Sequence, residues 1–169
     1  MFFHLDKDSI SEEDLYRVAS TIWLPTVLKL IDLSETVVFI LRKKHRQISF
    51  LHLYHHVSIL LLVWYAAKYY PCAPVAFSML TNCFVHVIMY TYYLISETLQ
   101  KLINPLKPFI TILQMVQFVI IIIQYVSATA TGITQLKLVI ISITNILINF
   151  TLFSNFYRKS YVKSAQKKS

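Results

Sequence analysis

Three histidines stand within five residues of one another in an apolar stretch of the chain: His52, His55 and His56. The spacing i, i+3, i+4 places all three on one face of a helix. Histidine can act as general base, nucleophile or metal ligand. A second polar set, Asn82, His86, Tyr90 and Tyr93, shares a face of a later apolar stretch. A third, Lys29 and Asp32 with Glu35 one step around, lies in an earlier one. Hydrocarbon penalises unpaired polar groups, so ionisable residues inside such stretches are functional candidates. The plainer alternative is hydrogen-bonding between helices, worth about 0.6 kcal/mol per contact. For Lys29 and Asp32 it is a neutralised pair. Gln114, Gln117 and Gln124, and then Asn145 and Asn149, mark two further stretches, where amides more often serve as packing contacts than as catalysts.

Metal chemistry is one use of the histidines. The HxxHH pattern resembles, locally, the boxes around paired iron ions in membrane desaturases and hydroxylases. Those proteins need several boxes, and this chain has one plus His86, with His4 and His45 outside the apolar stretches. A di-iron site is therefore short of ligands. A single zinc on three histidines stays open. Cys83, three residues before His86, is a rival nucleophile, although a small buried cysteine is more often packing. The single glycine, Gly132, excludes a glycine-rich phosphate loop, and Cys72 and Cys83 form no CxxC pair.

The elements that carry these residues are membrane helices. The chain is 56% hydrophobic and 14% charged, against about 25% charged in a soluble domain. Four long stretches lack Lys, Arg, Asp and Glu: 47–67, 69–96, 108–135 and 138–157. Each meets the roughly 20 residues that a span needs. A fifth span, about 23–41, contains Lys29, Asp32 and Glu35. The expected fold is thus an all-α integral membrane protein of about five transmembrane helices, with an inward polar stripe on each and a polar cavity within the bundle. An acidic N-terminal surface segment is expected over 1–18, the helical domain over 19–157 and a basic tail over 158–169. Ser11 with Asp14 reads as a capping box for a short surface helix, and Pro25 fits the first turn of the next helix.

Net charge is +8, with 16 Lys+Arg against 8 Asp+Glu. With no nucleic-acid motif present, the excess points to an anionic membrane surface and not to nucleic acid. The basic loop with Arg42, Lys43, Lys44 and Arg46, the connector with Lys101 and Lys107, and the C-terminal tail fall on one side. That side is expected to be cytosolic. The same basic loop would steer a polyanionic substrate.

Four motifs in order resemble one family, the very-long-chain fatty-acid elongases, which are 3-ketoacyl-CoA synthases of the endoplasmic reticulum. Lys29–Thr36 (KLIDLSET) resembles KxxELxDT, with Asp32 and Glu35 exchanged in type. Lys44–His56 (KHRQISFLHLYHH) is similar to the family's lysine-to-histidine-box stretch. Asn82–Tyr93 (NCFVHVIMYTYY) and Thr111–Phe118 (TILQMVQF) resemble NxFVHxxMYxYY and TxxQxxQF. The resemblance implies the last five helices of a seven-helix fold, six of whose spans form a barrel around a substrate tunnel. It implies condensation of malonyl-CoA with a long-chain acyl-CoA, with no cofactor and no metal. His55, with His86 facing it, is then expected to carry the acyl group or act as base, with His52 and His56 orienting it or stabilising an enolate. Lys29, Asp32, Glu35, Arg42, Lys43, Lys44, Asn82, Tyr90, Tyr93, Gln114 and Gln117 are expected to bind substrate. The implied setting is the multi-pass membrane of the endoplasmic reticulum, in fatty-acid and sphingolipid biosynthesis. Implied partners are membrane lipid, downstream reductases and a dehydratase, and other elongases in homo- or hetero-oligomers. A non-catalytic short elongase that partners full-length relatives, and a metal-dependent membrane oxidase, are the alternative readings.

Overall fold

The computed structural model describes residues 11–41 and 49–163. Among the described residues there are five long helices: α1 (Glu12–Leu41), α2 (Phe50–Tyr69), α3 (Ala73–Thr98), α5 (Lys107–Ala130) and α6 (Leu136–Tyr157). A short α4 (Gln100–Ile103) and a 3₁₀ turn (Asn104–Leu106) link α3 to α5, and a π-helical turn (Arg158–Val162) continues α6. The connector expected between the third and fourth spans is therefore itself helical, and the basic tail begins as a continuation of α6.

Local chemistry explains the helix ends. Ser49 caps α2, its Oγ accepting from the His52 N–H at 3.1 Å. Pro74 and Pro108 lie in the first turns of α3 and α5, where no intrahelical donor is lost. Between α5 and α6 the chain turns at Gly132, whose φ of +72° is readily reached only without a Cβ.

One expectation is corrected. Pro25 does not open a helix but sits inside α1, which runs unbroken from the Ser11–Asp14 cap. Proline in a helix interior forfeits one backbone hydrogen bond. Helix α1 tolerates it because Ile22, Thr26 and Lys29 on the same stretch are buried against the neighbouring helices.

Among the described residues, four elements are long and apolar enough to cross a membrane: Phe50–Tyr69, Ala73–Ser96, Asn104–Ala130 and Leu136–Val162. Helix α1, at 30 residues, has the length but carries charge, some of it paired internally. Large apolar side chains such as Leu80, Phe84, Val87, Ile123 and Ile140 face outward, as lipid-facing residues do.

Helix α1 packs on α2, α2 on α6, α6 on α5, α5 on α3, and α3 back on α1. These pairings form a closed ring. Helices α2 and α3, although separated by only three residues, face one another across its interior. Every long helix turns buried polar groups inward: Thr26 and Lys29, His55 and His56, Asn82 and His86, Thr111 and Gln117, Ser142 and Asn149.

Candidate active site

The ring brings one end of each long helix to a common level. The C-terminal parts of α1, α3 and α6 and the N-terminal parts of α2 and α5 meet there. The histidines occupy the first two turns of α2 at this end. His55 and His56 are buried and His52 is half-buried.

Consecutive residues on a helix diverge by about 100°, so His55 and His56 address different partners. His55 turns toward α5 and α6. Its ring meets Phe118 and Phe153 edge-on, at centroid distances of 6.1 and 5.4 Å. Its Nδ1 lies 3.2 Å from Asn149 Oδ1. His56 turns toward α3, meeting His86 edge-on at 6.4 Å, and its ring lies tilted against that of His52 at 4.4 Å. The expected pairing of His55 with His86 is thus corrected: His56 is the α2 histidine beside His86.

A charged cluster backs His86. Lys29 Nζ donates to Asp32 Oδ2 at 2.8 Å and to His86 Nε2 at 3.4 Å. Lysine has no acceptor, so His86 Nε2 is the lone-pair nitrogen and Nδ1 carries the proton. That Nδ1 lies 3.7 Å from Asp32 Oδ2. Tyr90 completes the cluster, its hydroxyl donating to Asp32 Oδ1 at 3.2 Å. The Lys29–Asp32 pair is therefore a pin between α1 and α3 as well as a neutralised pair.

Below the histidines runs an internal cavity of about 50 Å³, lined by α2, α3, α5 and α6. It has room for a few waters. Asn82, Gln117, Asn145 and Asn149 form a polar band in its wall, and Ala66, Val75 and Tyr125 lie toward the far end. From His55 to Ala66 along α2 is roughly 16 Å at 1.5 Å per residue. The Asn82 Oδ1 and Ser142 Oγ atoms are buried without a hydrogen-bond partner in the protein. Buried polar atoms of this kind normally bind water or ligand.

Of the sequence-derived candidates, His52, His55, His56, His86, Lys29, Asp32 and Tyr90 come together, with Asn82 and Gln117 in the cavity wall. Gln114 is half-buried beside Met89, with its amide 3.5 Å from the sulfur. Tyr93 touches Tyr90 and Tyr92 but is 52% exposed, so it stands at the outer edge. Arg42, Lys43, Lys44 and the Glu35 side chain lie outside the described residues. Cys83 does not line the cavity. Among the described residues, no three of the His, Cys, Asp and Glu side chains converge as metal ligands would. Tyr54 and the pair Asn145–Asn149 join the site although the motifs point elsewhere. Their only signal in the sequence is an isolated pair of amides four residues apart in the last span.

The profile of the ELO family, described as GNS1/SUR4, matches residues 2–169. Very long chain fatty acid elongase 5 of Tachysurus fulvidraco is 38% identical over 166 residues, covering 96% of this chain and 55% of the relative. Very long chain fatty acid elongase 2 of Mus musculus is 35% identical over 164 residues, covering 95% and 56%. Very long chain fatty acid elongase 5 of Homo sapiens is 34% identical over 170 residues, covering 96% and 54%. The chain thus spans a little over half the length of these relatives. No solved structure matches it. A profile match along nearly the whole chain, with relatives at this identity, establishes that the chain belongs to the ELO (GNS1/SUR4) family.

Proposed function

We propose that this chain carries the condensing chemistry of fatty-acid elongation, joining malonyl-CoA to a long-chain acyl-CoA with loss of carbon dioxide. The observation that carries the reading is a buried histidine, His55, whose partners Asn149 and Phe118 line a cavity between four helices, in a chain of the elongase family. In this reading the His55 Nε2 lone pair attacks the thioester carbon of acyl-CoA. CoA leaves as a thiol, taking the proton that the imidazole sheds, and an acyl-imidazole remains. Malonyl-CoA loses carbon dioxide to give an enolate, which attacks the acyl carbon. The 3-ketoacyl-CoA departs, and the imidazolate released from the acyl group takes up a proton from water, which regenerates neutral His55.

Charge develops on the enolate oxygen, and fixed donors aimed at such an oxygen lower the barrier. His56 lies beside His55 for that role, with His86 and then Lys29 behind it and with Asp32 and Tyr90 holding the ammonium in place. The acyl chain enters the cavity, displaces its waters and spreads the lining side chains. Asn82 and Gln117 lie along its path. Arg42, Lys43 and Lys44 receive the CoA phosphates from the cytosolic side. Glu35, Tyr93 and Gln114 complete the substrate-binding set. No cofactor enters this scheme. The reading places the protein in the endoplasmic reticulum membrane with its C-terminus in the cytosol, beside the reductases and dehydratase that process a 3-ketoacyl product.

The test is incorporation of carbon-labelled malonyl-CoA by membranes that contain this chain and no other elongase. A labelled 3-ketoacyl product that disappears in His55→Ala, with membrane insertion retained, supports the reading. Retained activity in His55→Ala removes His55 from the mechanism. No product from well-inserted wild-type protein overturns condensation by this chain alone.

A further inference from the structure

The amide chain on α6 bears on which histidine nitrogen is reactive. Asn149 is 1% exposed. Its Nδ2 lies 2.9 Å from the backbone oxygen of Asn145 and 3.2 Å from Asn145 Oδ1. A backbone carbonyl can only accept, so the Asn149 NH₂ must face Asn145. That fixes the amide's orientation and leaves Oδ1 as the atom 3.2 Å from His55 Nδ1. An amide oxygen also only accepts, so the proton of neutral His55 must reside on Nδ1. Nε2 then keeps its lone pair, and among the described residues it has no hydrogen-bond partner. Asn145 is held in turn by the Tyr54 hydroxyl, which donates to its Oδ1 at 3.3 Å.

His86 provides the contrast. It too carries its proton on Nδ1, but its Nε2 lone pair is occupied by the Lys29 ammonium. Of these two buried imidazoles, only His55 offers an unoccupied lone pair. Phe118 and Phe153 hold its ring edge-on, so it cannot readily turn to exchange its two nitrogens.

We infer that Asn149 is the positioning residue of the site, fixing His55 as the Nδ1–H tautomer so that Nε2 is the nucleophile. The assignment rests on the condensation reading for its catalytic meaning, but the tautomer can be measured without turnover. Protein labelled with ¹⁵N-histidine, reconstituted in lipid nanodiscs, reports each ring nitrogen as protonated or bare. His55→Gln identifies the His55 signals by their loss.

The expected result for wild type is a protonated Nδ1 and a bare Nε2 at His55. Asn149→Leu should abolish that preference and lower kcat on the order of 100-fold, with KM little changed. Asn149→Asp retains an acceptor and should restore the Nδ1–H form. A His55 protonated on Nε2 in wild type overturns the inference. So does a tautomer that Asn149→Leu leaves unmoved. If Asn149→Leu fails to fold, the wild-type and Asn149→Asp spectra decide the matter. The expected tautomer in a protein that makes no 3-ketoacyl product would leave the assignment standing and overturn the condensation reading instead.

Discussion

Lys29 and His86, 57 residues apart on α1 and α3, meet with Nζ 3.4 Å from Nε2. The ammonium is buried inside the helix ring, its charge answered by Asp32 at 2.8 Å. One cation thus joins two helices and occupies the lone pair of a histidine.

Removing one member of that pair should cost more than removing both. Lys29→Met leaves Asp32 uncompensated, and the expected loss is about 3–5 kcal/mol. Adding Asp32→Leu should recover much of it, because no buried charge is then left alone. Thermal unfolding of the detergent-solubilised single and double variants measures the difference. Additive losses would contradict the pairing.

Ser49 links a cap to the chemistry. Ser49→Ala removes the acceptor for the His52 N–H and should cost about 1 kcal/mol. The first turn of α2 carries His52, so its fraying should reduce condensation more than it lowers the melting temperature. Parallel activity and melting curves separate the two effects.

The far end of the cavity should set how long an acyl chain fits. Ala66 is 1% exposed there. Ala66→Leu fills space that the end of the chain would occupy. Each methylene denied burial costs about 0.8 kcal/mol. The longest products should shorten while turnover of the shortest substrate is retained, as chromatography of the product mixture would show. Longer products would place the end of the chain elsewhere.

At Gly132 the cost should be purely conformational. A Cβ there meets nothing within 4 Å, yet φ is +72°. Gly132→Ala should lose roughly 1 kcal/mol with activity per folded molecule unchanged. Gly132→Asn, which tolerates this region better, should lose less. Melting temperatures of both variants provide the check.

Much of this architecture is legible in the residues themselves. Apolar runs of span length mark the four most hydrophobic helices, and the 3.6-residue period places His52, His55 and His56 on one face. The i, i+3 spacing of Lys29 and Asp32 anticipates their ion pair. Periodicity fixes which residues share a face, but not which helix that face meets. His55 and His56 therefore read as one unit, whereas packing sends one to Asn149 and the other to His86. Asn145 and Asn149 read as packing amides because the role of an amide depends on the group opposite it. Pro25 reads as a helix start because local propensity favours that, and tertiary burial of α1 overrides it.

The ring of helices has a temporal consequence. His55 receives its orienting contact from a residue 94 positions later, on the last long helix. A ribosome that has delivered α1 through α5 has already supplied every histidine of the box. Yet the wall that α6 provides is still open to lipid. The Nδ1 contact of His55 is therefore made only when the last helix docks.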